Sequence, residues 1–209
     1  MKVAFVHVGQ TPSETVGLLV ASAKRVMPHV PVVHLTDGAT PAVAGVDEVQ
    51  RHAVSPLVAL AVLELYALAG AGTWLFVDTD VLVQAPVDHV FEHATFDIAV
   101  ASREGTYRPG EAGSKFMTRH PYNKGVVFSR RTTFWQDAAT VLRGMKVCTQ
   151  AWMGDQLAMN AVIDQWRYKV HVLDSRYNYP PQSKSEALGD KFLLHFKGPR
   201  KTWLMERAA

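Results

Sequence analysis

The sequence predicts an α/β fold built on a largely parallel sheet, and three observations predict it. Short β-rich runs alternate with helix-length segments along the chain. Some runs, such as Trp74-Leu75-Phe76-Val77, are continuously apolar and read as buried strands. Clusters of Gly, Pro, Thr, Asp and Ser separate them.

The elements follow in order. Residues 3–8 are apolar and β-rich, a strand. Gly9-Gln10-Thr11-Pro12-Ser13 is a turn, with Ser13 as N-cap of a helix running to Met27. Residues 31–35 form a second strand closed by Thr36-Asp37-Gly38, and a short strand covers 46–50. From Leu57 to Val77 the only charge is Glu64, nearly enough apolar length for a membrane span. Gly70-Ala71-Gly72-Thr73 divides the stretch, so it reads as a buried helix followed by a strand at 74–77. Further strands are expected at 97–101, 125–129, 168–173 and 192–196, and helices at 132–143 and 154–166. Residues 103–121 and 179–190 read as long loops of the kind that bind or cover ligands. The whole, 1–209, is expected to be a single domain.

Composition narrows the function classes. Hydrophobic residues make up 48% and charged residues 20%, values of a folded globule. The net charge of +3 suits a phosphorylated ligand and gives little support to a nucleic-acid partner. A single cysteine, Cys148, excludes an internal disulfide and any multi-cysteine metal site. With no signal-peptide pattern at the N-terminus, a reducing, cytoplasmic location is expected.

Four segments carry chemistry. In Val77-Asp78-Thr79-Asp80-Val81, two carboxylates sit at the end of an apolar strand. Their mutual repulsion and desolvation cost are offset by a divalent cation, although two solvated turn aspartates would read the same way. In His195-Phe196-Lys197-Gly198-Pro199-Arg200-Lys201, a strand delivers a histidine that could be structural or a ligand for a Mn-like or Zn-like ion. Gly198 would let the backbone approach a phosphate, and Lys201 would supply charge. Asn123, ahead of the strand at 125–129, is either a hydrogen-bonding ligand or part of an Asn-x-Gly turn. Asp155 and Gln156 fall at a helix start, where Asp155 alone reads as an N-cap.

In this order the four segments resemble the GT-A-fold glycosyltransferases, and more closely the retaining family that includes glycogenin and the bacterial lipooligosaccharide galactosyltransferases (glycosyltransferase family 8). The matching residues are Asp78-Thr79-Asp80, Tyr122-Asn123-Lys124-Gly125-Val126, Asp155-Gln156, and His195-x-x-Gly198-x-x-Lys201-Thr202-Trp203. The resemblance implies a Mn²⁺ (or Mg²⁺) held by Asp78, Asp80 and His195 and bridging a donor diphosphate. It implies phosphate contacts from Gly198 and Lys201, and donor contacts from Thr79, Asn123, Gly125 and Asp155. Gln156 would sit beneath the anomeric carbon, to stabilise or to attack it. Val8, Gly9 and Gln10 would meet the nucleotide base. The implied partners are a nucleoside diphosphate sugar, UDP-linked in most such enzymes, and a hydroxyl on a glycan, lipid or protein. Where relatives carry a Tyr in the turn after the first strand, 11–14 has none, and 55–66 lacks their Arg or Lys. Two alternatives remain from the sequence. One is a nucleotide-sugar-binding relative without transferase activity. The other is a haloacid-dehalogenase-type phosphatase with Asp78 as nucleophile.

Overall fold

In the computed structural model, which describes residues 1–9, 14–102, 120–151 and 153–208, the first half of the chain runs β1 (Lys2–Val6), α1 (Glu14–Val26), β2 (Val32–Thr36), β3 (Glu48–Arg51), α2 (Val58–Leu68), β4 (Trp74–Val77), β5 (Val81–Val83), α3 (Val90–His93) and β6 (Ile98–Ser102). The second half runs β7 (Tyr122–Ser129), α4 (Thr133–Gly144), α5 (Val147–Ala151), α6 (Gly154–Ile163), β8 (Val170–Leu173), β9 (Leu193–His195) and α7 (Lys201–Ala208). Short 3-10 turns cover Ser175–Tyr177 and Gly198–Arg200.

Seven strands form one sheet in the order β3-β2-β1-β4-β7-β6-β8. All are parallel except β7, which runs against both neighbours. The central strand, β4, is apolar throughout because both its faces are covered. Along β4 the side chains alternate: Leu75 and Val77 join a core with α1, while Trp74 and Phe76 join one with α2, α4 and α6. On that second face Phe76 stacks on Tyr66 at 4.2 Å between ring centroids and meets Trp135 edge-on at 5.6 Å. A small antiparallel pair, β5 with β9, lies outside the main sheet and packs with Leu188, Phe196 and Leu204 in a third cluster.

The buried helix and strand expected across 57–77 are α2 and β4, and no helix among the described residues is long and apolar enough to cross a membrane. Some boundaries differ. Strand β7 begins at Tyr122, three residues before the apolar run that announces it, because Asn123 and Lys124 are polar residues that line a cavity at the end of the sheet. Helix α6 stops at Ile163, followed by Trp166 in the left-handed region at φ 57°. The pairing of β5 with β9 and helices α3, α5 and α7 were not expected. The proposed cap at Ser13 and most of the loop at 103–121 lie outside the described residues.

Candidate active site

The site lies at the carboxyl ends of β1 and β4, where ligands collect in open α/β sheets. Because β7 is reversed, its beginning lies there too: Val77 pairs with Val126, and the Asp78 amide donates to the Gly125 carbonyl at 2.9 Å. After the turn at Asp78–Asp80 the chain leaves the sheet as β5. Strand β9 pairs with it so that Val81 faces His195, and the Phe196 amide donates to the Asp80 carbonyl at 2.9 Å. This pairing brings a distant histidine beside the aspartates.

The result is a three-residue cluster. One ligand atom from each of Asp78, Asp80 and His195 lies within 4.8 Å of the others. His195 Nε2 is 3.2 Å from Asp80 Oδ1 and 3.6 Å from Asp78 Oδ2. The hydrogen-bond chain behind the ring sets its tautomer. The Gly125 amide donates to Asn123 Oδ1 at 3.0 Å, and so does Asn178 Nδ2 at 3.1 Å. The Asn178 carbonyl oxygen is thereby turned to His195 Nδ1, 2.9 Å away, and accepts its proton. Nε2 then presents a lone pair to two carboxylates, the arrangement of a cation site with an oriented imidazole ligand. Burial is the main influence lowering the His195 pKa, which favours this neutral ring. Burial raises the Asp80 pKa, but contacts with His195 and Lys201 outweigh it and hold the carboxyl well below the ordinary range.

Gly125 is a steric requirement of this cluster. A Cβ built there would lie 1.9 Å from His195 Cε1 and 2.8 Å from Asp78 Oδ2. The donor set, the tautomer and this cradle all fit a divalent metal.

Two lysines complete the electrostatics. Lys201, at the start of α7, lies 3.2 Å from Asp80 Oδ2. Lys124, on β7, is buried. Its Nζ donates to Asp78 Oδ1 at 2.7 Å and lies 3.4 Å from Asp155 Oδ2. Burial works against its charge, but Asp78, Tyr66 and Asp155 raise its pKa well above the ordinary value.

A cavity of about 490 Å³ gathers nearly all the residues singled out in the sequence: Asp78, Thr79, Asp80, Asn123, Gly125, Asp155, Gln156, His195, Gly198 and Lys201. Gly198 has a left-handed backbone at φ 57°, open to glycine without strain. Asn123 is not in a turn; it lies within β7 and donates through Nδ2 to Gln156 Oε1 at 2.8 Å. Asp155 is not the cap of α6. That position is held by Met153, in the left-handed region at φ 54°, and Asp155 Oδ1 accepts the Gln156 amide at 2.8 Å. The Asp-x-Asp is not a solvated turn, since Asp80 is 6% exposed.

Val8 is in an adjoining cavity of about 390 Å³ with His7, Asp37 and Ser55, which shares Val6, Val62 and Thr79 with the first. Gly9 follows it, exposed, its amide held by Thr40 Oγ1 at 2.8 Å. Gln10 lies outside the described residues. The sequence reading missed the bridging role of Lys124 and overlooked Asn178. The signals were a lysine between Asn123 and Gly125, and an asparagine between two tyrosines, Tyr177 and Tyr179.

No family model and no curated protein sequence matches the chain. Among solved structures it is similar to the galactosyltransferase LgtC in complex with donor and acceptor sugar analogs, at a TM-score of 0.65 and 13% identity. That match covers 100% of this chain and 95% of the other. A glycosyltransferase involved in glycosylation of the major capsid of PBCV-1 matches at a TM-score of 0.65 and 13% identity, over 100% and 98%. The apo-form glycosyltransferase GlyE of Streptococcus pneumoniae matches at 0.64 and 15%, over 99% of this chain and 60% of that one. The sheet, its reversed strand and its helical layers are therefore those of the GT-A fold.

Proposed function

We propose that this chain is a metal-dependent glycosyltransferase that moves a sugar from a nucleoside diphosphate sugar, a UDP-sugar first, to a hydroxyl of a glycan, lipid or protein, with retention. The observation that carries the reading is the lone pair of His195 Nε2 converging with Asp78 and Asp80 on one wall of a cavity that also holds Asn123, Asp155 and Gln156. Its GT-A fold supports it.

In this reading Asp78, Asp80 and His195 hold Mn²⁺ or Mg²⁺. The ion supplies Lewis acidity toward the leaving nucleoside diphosphate. Lys201 pairs with its phosphates and the Gly198 backbone approaches them. Asn123 and Asp155 hydrogen-bond the sugar. Asn123 also fixes the Gln156 carboxamide, leaving a second lone pair on Oε1 for the positive charge that develops at the anomeric carbon. The cavity with Val8, His7 and Asp37 suits the nucleoside.

Melting temperature measured with Mn²⁺ and UDP, GDP, dTDP or CDP, with and without chelator, tests this reading. One nucleotide should raise it, and chelation should cancel the rise. Asp80→Ala and His195→Ala should each lose the metal-dependent rise while remaining folded. Unchanged binding in both would sink the metal assignment. A binding module without transferase activity is also favoured by one feature, the apolar Val62 and Tyr66 that α2 turns to the cavity. Donor binding with neither transfer nor slow donor hydrolysis would select it.

A further inference from the structure

The two ligand aspartates are divided in the same way. Each turns one oxygen toward His195 Nε2 and gives the other to a lysine: Asp78 Oδ1 to Lys124 at 2.7 Å, and Asp80 Oδ2 to Lys201 at 3.2 Å. The lysines differ in freedom. The Lys201 side chain is 53% exposed and can turn to a phosphate. That of Lys124 is 8% exposed and is wedged between Asp78 and Asp155, with its Nζ 5.7 Å from the centre of the Tyr66 ring. Moving it away would leave two carboxylates, 32% and 17% exposed, without the cation between them.

Resting on the metal reading above, we infer that Lys124 is a resident cation of the donor site, one that competes with the divalent ion for Asp78 and so makes metal binding depend on the diphosphate. The charge count carries this. Asp78, Asp80 and Asp155 set three negative charges against the three positive charges of Lys124, Lys201 and Lys197, which lines the same cavity, so the site is balanced without any ion. A divalent ion alone would overshoot to a net positive charge in a partly desolvated cavity, where such an excess is costly. A diphosphate removes the excess and draws Lys201 off Asp80. Metal and diphosphate then favour one another reciprocally. Lys124 also limits Asp78 to a single oxygen for the metal, and ties that ligand to Asp155 at the sugar end of the cavity.

The test is calorimetric titration with Mn²⁺ alone and with Mn²⁺ plus inorganic pyrophosphate, the Mn²⁺–pyrophosphate complex being measured separately in buffer. Pyrophosphate makes the result independent of the base. Wild type should bind Mn²⁺ alone weakly, and at least about tenfold more tightly with pyrophosphate. Lys124→Gln should bind Mn²⁺ alone at least about tenfold more tightly than wild type and gain less from pyrophosphate. Lys124→Arg, which keeps the charge, should behave as wild type. If Lys124→Gln binds Mn²⁺ no more tightly, while His195→Ala still loses binding, the role of Lys124 is overturned and the metal site stands. Equal Mn²⁺ affinity of wild type with and without pyrophosphate overturns it too, whether or not the variant folds. No Mn²⁺ binding in any condition overturns the cation site itself, and this inference with it.

Discussion

Strands β1 and β4 lie side by side and end at the same edge of the sheet, yet the two ends are built on opposite principles. The end of β1 is held by neutral hydrogen bonds. The His7 carbonyl accepts from His34 Nε2 at 3.0 Å and from Thr36 Oγ1 at 2.7 Å. His34 is itself stacked on Phe5, and its Nδ1 accepts the Val43 amide at 3.4 Å, so its proton lies on Nε2. The end of β4 is held by charge: two aspartates, two lysines and an imidazole lone pair. The first arrangement fixes a backbone in one place. The second has a surplus of partners that a ligand can redistribute. Neutral bonds of about 1 kcal/mol each suit a wall, whereas charge pairs in a buried setting suit a site that must exchange partners.

The largest break in this contrast should come from Gly125→Ala. Its Cβ would overlap His195 and Asp78, so Mn²⁺ binding measured by calorimetry should fall below detection, with a lowered melting temperature. Asn178→Ala comes next. It removes the acceptor that sets the His195 tautomer, and Mn²⁺ affinity should fall about 10- to 100-fold while the fold survives. At the β1 end, Thr36→Val should cost about 1 kcal/mol in denaturant unfolding and leave Mn²⁺ affinity unchanged. A change in metal affinity there would erase the distinction between the two ends. The smallest effect concerns pH. Burial is the main cause lowering the His34 pKa below its ordinary 6.5. The unfolded chain therefore binds the proton more readily. This contribution to stability is complete above pH 6.5 and is lost as pH falls through the lower folded pKa. Melting temperature should decline below that pH, and His34→Phe should flatten the decline.

The elements legible in the sequence were those whose signal is local. Strand β4 was read to the residue because all four of its side chains are buried, and the Asp-x-Asp stood out against that run. The start of β7 was misjudged because Tyr122, Asn123 and Lys124 do not read as buried strand residues, and a period of apolarity cannot report a strand whose first residues include polar side chains that line a cavity. Strand β5 was hidden because it exists only through its pairing with β9, far along the chain. Helix α7 was masked by the histidine–glycine–lysine pattern that leads into it. Lys124 and Asn178 were missed for the same reason. Each is an ordinary polar residue until the fold sets it against Asp78 or His195.

The reversed strand has one more consequence. Because β7 runs against β6, the chain leaves β6 at Ser102 and re-enters β7 at Tyr122, its register partner, on the edge where the cavity opens. A connection between those two positions begins and ends on one edge of the sheet. In a sheet with every strand parallel, the same connection would have to cross to the opposite edge. A single inverted strand thus puts the start of β7 on the same edge as Asp78, Asp80 and His195.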